Sequence, residues 1–359
     1  METDKIDEVL KELLTSETRQ PSPETAAQSW LALCPRIKAK RRRRLGLTSA
    51  AAVAVVCACL FIPGKHSDDV QTMAQYAASM PQTLDREGDI KLSISGRPDM
   101  VISSSDVNII HSGNGVVTID SDVQGKVVVR ESSASEQNST SVQDFNQVVV
   151  PVGKRTHLTL SDGTRIWMNS GSRLIYPESF GKESRDVFLE GEAYFEVSHN
   201  EACPFYVKTG NYDVAVKGTV FDVSAYPNRN ETFVILVNGS VDVDSHEGPV
   251  CALKPGQIVK LQGSDMAEPE YADITPYVSW VKDYLVFKNE KLGIALEKIG
   301  RQYGKTFLLA PGTSEITVSG KLYLKDDLSS ILRSISFSVP VNFEDHNESI
   351  YVHDAVGDF

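Results

Sequence analysis

Residues 45–62 read LGLTSAAAVAVVCACLFI, eighteen residues without a charge. As a helix rising about 1.5 Å per residue, the stretch extends about 27 Å, close to the roughly 30 Å hydrocarbon core of a bilayer. Seven of the ten residues before it, Pro35 to Arg44, are Lys or Arg. A basic block beside an apolar span stays in the cytoplasm, because crossing is costly and anionic lipid holds it. The stretch therefore predicts a single-pass inner-membrane protein, with residues 1–44 cytoplasmic and the chain beyond residue 65 periplasmic. A buried core helix is the plainer reading, but core helices seldom lack charge for so long beside a polyarginine flank. A cleaved signal peptide would need a 44-residue n-region. Val56-Cys57-Ala58-Cys59 is only loosely like a lipoprotein cleavage box and lacks its leucine.

A chain of 359 residues suggests two or three domains. The net charge is −12. Since the basic block lies on the short cytoplasmic side, the outer part is more acidic still, which favours an outer part that does not bind nucleic acid. Of five cysteines, Cys34 is cytoplasmic and Cys57 and Cys59 lie in the span. Cys203 and Cys251 face the oxidising side, as one disulfide or as two separate buried thiols; spacing does not decide. There is no CxxC, and the seven histidines have no metal-ligand spacing. Nor is there a GxSxG, a P-loop or a strand-linked GxGxxG. No cofactor is expected.

Residues 1–19 place Ile6, Val9, Leu10, Leu13 and Leu14 on one face of an amphipathic helix, which Pro21 and Pro23 break. A second helix from Glu24 carries Ala27, Trp30, Leu31, Leu33, Cys34 and Ile37. Two short helices bury little core alone, so Leu10, Leu13, Leu14, Trp30 and Leu31 are candidate partner contacts. Residues 63–87 read as a polar stalk, helical near Val70–Met80. From Gly88 the pattern turns to period two, with Asp162-Gly163 and Asn238-Gly239 marking tight hairpins. Many short strands at close spacing predict a β-sandwich or β-roll over residues 88–270, read as one continuous β-domain. Residues 277–356 read β-α-β-β-α-β-β, a small α+β module. In it Leu285, Phe287, Leu292 and Leu296 are candidate core or interface positions.

Several phrases stand in a row. They are Leu158-Thr159-Leu160-Ser161-Asp162-Gly163-Thr164, Trp167-Met168-Asn169-Ser170-Gly171-Ser172, Leu174-Ile175-Tyr176-Pro177, and Leu189-Glu190-Gly191-Glu192-Ala193-Tyr194-Phe195-Glu196-Val197. Gly218-Thr219-Val220-Phe221-Asp222-Val223, Leu236-Val237-Asn238-Gly239-Ser240-Val241 and Leu253-Lys254-Pro255-Gly256-Gln257 follow. In this order the chain resembles the FecR family of membrane-spanning anti-sigma regulators. The terminal module resembles the short domain that ends Bacteroidetes-type members, itself similar to signalling domains of TonB-dependent receptors and secretins. The resemblance implies that the cytoplasmic tail binds an extracytoplasmic-function sigma factor. It implies that the periplasmic part senses the signalling domain of an outer-membrane TonB-dependent transporter. The tail is shorter than is usual in the family, so the sign of regulation stays open.

Gly218-Thr219 is the one reactive candidate. A Thr hydroxyl can attack the preceding carbonyl, and Gly leaves that carbonyl unhindered. Some FecR-like proteins cut themselves at a Gly-Thr of this motif. The alternative is that Gly218-Thr219 begins a strand where backbones pack closely. The chain is not expected to be an enzyme beyond that single turnover. Glu190, Glu192 and Glu196 invite comparison with a glycosidase pair, but Gly191 interrupts them and a solvated strand is the expected reading. A tethered carbohydrate-binding or envelope-assembly protein is the rival function, and a hydrolase built on Glu190 is a third.

Overall fold

The computed structural model describes residues 73, 75–78, 88–94, 97–104, 106–112, 116–121, 125–130, 145–229 and 232–355. No helix among them is long and apolar enough to cross a membrane. The apolar stretch 45–62 and the tail positions Leu10, Leu13, Leu14, Trp30 and Leu31 lie outside the described residues.

The β-domain follows from strict alternation. In the strand Val116–Ser121, Val117, Ile119 and Ser121 are buried while Asp120 between them is exposed. Such strands line up into two sheets packed on one apolar core. The first sheet runs, in spatial order, 100–102, 90–93, 145–150, 172–177, 185–190, 205–208, 213–216, 241–244 and 251–253. The second runs 125–130, 116–121, 106–112, 155–159, 165–168, 191–196, 220–225, 232–238 and 257–262. Neighbours are antiparallel except two parallel pairs, 106–110 with 155–159 and 185–188 with 205–208. Strands before Arg130 thus belong to the same two sheets as those that follow.

One strand belongs to both sheets. Arg185–Glu196 pairs with Ser172–Pro177 through residue 190 and with Arg165–Met168 from residue 193. It turns between sheets at Gly191, whose φ is +101°. A Cβ there would stand 2.6 Å from the Cα of Ser172, so only glycine fits. Beyond the corner Phe195 stacks on Phe221 with centroids 5.0 Å apart, inside the core.

The stalk reading needs one correction. Residues 73 and 75–78 are helical, but Met73 and Ala77 are buried against Phe145, Ile175 and Phe188 on the first sheet. Arg173 Nη2 donates to the Ala77 carbonyl at 3.1 Å. Apolar side chains at i and i+4 face the sheet, and burying them keeps this turn docked.

The terminal module has the order β-α-β-β-α-β-β. Helix α1 (Leu292–Tyr303) buries Leu292, Leu296 and Ile299 along one stripe and ends on Gly304 at φ +70°. Helix α2 (Leu328–Ser338) is capped by Asp327, which accepts from Ser330 N at 2.9 Å. The strands form an antiparallel pair, 284–291 with 317–323, and a three-stranded sheet in the order 306–309, 349–354, 341–346.

Candidate functional site at the seam between β-domain and terminal module

The outer face of the second sheet carries side chains that the alternation sends away from the core. Phe221 and Val223 point inward, so Asp222 and Ser224 point outward. By the same parity Trp167, Glu192 and Tyr194 are outward, yet Glu192 and Asp222 are buried. The terminal module covers them. Its apolar core packs against Trp167 and Tyr194, and Tyr277 meets Phe233 edge-on at 5.2 Å.

The polar contacts of the seam gather at the end of α1. The Arg301 carbonyl accepts the Gly153 N–H at 3.0 Å and the Ser170 hydroxyl at 2.7 Å. This is one of the orphan carbonyls of a helix C-terminus, satisfied here by the other domain. Gln302 Nε2 donates to Asn169 Oδ1 at 2.6 Å. Asn169 Nδ2 in turn donates to Glu192 Oε2 at 2.8 Å. The Arg301 guanidinium lies 3.4 Å from Glu192 Oε2 and 4.1 Å from the Tyr226 ring centroid. The Tyr226 hydroxyl donates to the Ser170 carbonyl at 2.9 Å. At the other end Arg155 donates to the Trp280 carbonyl and pairs with Asp283, both at 3.0 Å. A cavity of about 30 Å³ remains, lined in part by Asn169, Glu192, Ser224, Trp280, Leu285 and Arg301.

Burial alone would lower the Arg301 pKa, but Tyr226, Glu192 and Glu297 outweigh it and hold the guanidinium charged. Burial, then Glu196 and Asp222, pushes the Tyr194 hydroxyl up to about 12. Burial first, and the neighbouring Glu192 second, push the Asp222 carboxyl well above the usual carboxylate range.

The residues singled out in the sequence fall in different places. Leu285, Phe287, Leu292 and Leu296 are buried in the module's core, and Leu285 also reaches the seam cavity. Glu190 and Glu192 are not a solvated pair. Arg173 holds Glu190 at 2.8 Å in the first sheet, whereas Glu192 is buried under the module in the second. Glu196 pairs with Arg165. Cys203 and Cys251 are separate free thiols. Gly218 packs against His199, with room for no Cβ. Thr219 is buried, and its hydroxyl donates to the Ser240 carbonyl at 2.8 Å across the Asn238-Gly239 hairpin.

Sequence reasoning did not single out Asn169, Ser170, Asp222, Tyr226, Arg301 and Gln302. One signal for Asp222 was available: a carboxylate amid Val220, Phe221 and Val223 is out of place in an apolar strand.

Family profiles match in two places: that of the FecR protein over residues 146–242, and that of the FecR C-terminal domain over residues 284–352. The chain belongs to the FecR family. Its seam therefore joins the two family domains, and Asn169, Ser170, Glu192 and Asp222 all fall within the first matched region. Two crystal structures, each of a candidate anti-sigma factor from Parabacteroides distasonis ATCC 8503, resemble it with a TM-score of 0.53 and 26% identity. They cover 58% of this chain and 98% and 99% of their own. No curated protein matches the chain.

Proposed function

We propose that this protein is an anti-sigma-type signalling regulator of the inner membrane. Its tail, through Leu10, Leu13, Leu14, Trp30 and Leu31, engages an extracytoplasmic-function sigma factor. Its terminal module meets the signalling domain of an outer-membrane TonB-dependent transporter. The observation that carries the reading is the seam. The C-terminal domain of the family is seated on side chains of the FecR domain itself, so a partner that reaches the module acts on the domain joined to the N-terminal segment. Family membership and the likeness to a candidate anti-sigma factor support it. The hydrolase reading loses its pair, since Glu190 and Glu192 are each engaged by a different arginine. Gly218-Thr219 we assign to architecture, since the Thr219 hydroxyl bridges a hairpin.

The test is co-purification of the tagged full-length chain from its native host. A sigma factor should co-purify, and Asp at Leu10, Leu13 and Leu14 together should release it. An immobilised transporter signalling domain should retain the wild-type chain. Recovery of no sigma factor would refute the proposal.

A further inference from the structure

The strongest anomaly of the seam is Asp222. It is fully buried, yet neither carboxyl oxygen has a hydrogen-bond partner. Buried polar groups in native proteins are nearly always paired, and leaving one unpaired is costly. Two more orphans lie on the module's side, the Trp280 indole N–H and the Ser279 hydroxyl, both buried. Trp280 lines the seam cavity, so the seam holds an unpaired acceptor on the sheet side and an unpaired indole donor on the module side.

Among the described residues, the surroundings of Asp222 offer it no counter-charge. Tyr194 stands directly across on the neighbouring strand, and Ile235 across on the other side. Glu192, the nearby acid on that first strand, raises the cost of a second negative charge. Tyr212 and Tyr226 are held neutral by burial, and the Tyr212 hydroxyl already donates to the Ser224 carbonyl. From the module, Arg301 is engaged by Glu192 and Tyr226, and Lys298 by Glu290 at 2.6 Å. Arg229 is engaged by Glu297. Residues 275–285 bring Tyr277, Trp280 and Leu285 to the cavity beside Ser224, two positions from Asp222 on the same face.

We infer that the terminal module is a detachable cover whose release is linked to a proton: Asp222 sits neutral beneath it and ionises to water when it lifts. The balance is simple. Undocking converts the Asp222 carboxylic acid to a carboxylate and delivers one proton to solvent. The sign follows. An acid whose docked form binds its proton more tightly favours docking at low pH. That advantage is full below its ordinary value near 4 and is lost as pH rises through the raised, docked value. Between the two, the undocking equilibrium constant should grow about tenfold per pH unit. This linkage is a property of the seam alone and is the same whatever partner the module meets.

The experiment uses the full-length chain with Trp30→Phe, which leaves Trp167 and Trp280, both at the seam, as reporters. Tryptophan fluorescence and amide hydrogen exchange at residues 165–168, 191–196 and 279–287 are followed from pH 5 to pH 8. Exchange in the core strand 213–216 reports global unfolding. Seam opening should rise with pH in wild type without a rise in the core strand. Asp222→Asn, which cannot ionise, should open less and show no pH slope. Asp222→Leu serves as a second non-ionising variant if Asn fails to fold. An equal slope in a non-ionising variant, or opening that does not change with pH in wild type, would overturn the inference.

Discussion

Arg301→Met is the most informative change to the seam. Methionine keeps the length and the helix propensity of the site, and the main-chain contacts from Gly153 and Ser170 survive. What goes is the guanidinium. Its side chain is 13% exposed and that of Glu192 7%, so the pair is shielded from water. Removing one partner of a buried pair costs about 3–5 kcal/mol, because the other charge is left uncompensated. The 3.4 Å separation and the surviving Asn169–Glu192 bond place this pair at the low end, about 3 kcal/mol. That is a shift of about a hundredfold in the docking equilibrium. Adding Glu192→Gln removes the orphaned charge, so the double variant should return to within about 1 kcal/mol of wild type. Urea unfolding of the full-length chain, read by Trp167 and Trp280, measures all three. A cost for Arg301→Met below about 1 kcal/mol, or a double variant equal to the sum of the singles, would refute the reasoning.

Gly191→Ala should cost on the order of 3 kcal/mol or more in thermal unfolding, since a Cβ would collide with Ser172 at a φ of +101°; a stable variant would mean the corner can relax. His111, buried beside the Tyr176 hydroxyl at 2.7 Å, has its pKa lowered by burial to about 4. A depressed imidazole leaves stability intact above its ordinary value near 6.5, and stability falls as pH drops from there towards 4. The loss is about 3 kcal/mol at most, and His111→Gln should flatten it in denaturant titrations at pH 7 and pH 5. Thr219→Ala should cost about 1 kcal/mol through the lost Ser240 bond, and immunoblots of doubly tagged wild type should show one full-length band. Two fragments meeting near residue 218, absent in the variant, would instead make Thr219 a nucleophile.

The alternation of Val116–Ser121 and the turn at Asp162-Gly163 were legible because a strand's period and a turn's φ are local properties of the sequence. The β-α-β-β-α-β-β order of the terminal module was legible in the same way. The corner was not. In the sequence Gly191 reads as an interruption, whereas one strand spans Arg185–Glu196, because the glycine breaks the pattern without ending the pairing. The two parallel pairings were hidden for another reason: each needs a crossover connection rather than a tight turn, and nothing in either segment names its partner. The burial of Glu192 was hidden in the same way. On its own strand it is an outward residue facing water, and only the docking of α1, over a hundred residues later, covers it.

The corner strand fixes how forces pass through the molecule. Arg173 bonds both to Glu190 and to the carbonyl of Ala77 in the N-terminal helical turn, whereas Glu192 is gripped by the terminal module. The two grips are two positions apart, with only Gly191 between them, about 7 Å along the strand. No loop lies between them to take up slack. A displacement of the module against that helical turn must therefore break one of the two grips or be carried across as a rigid shaft would carry it.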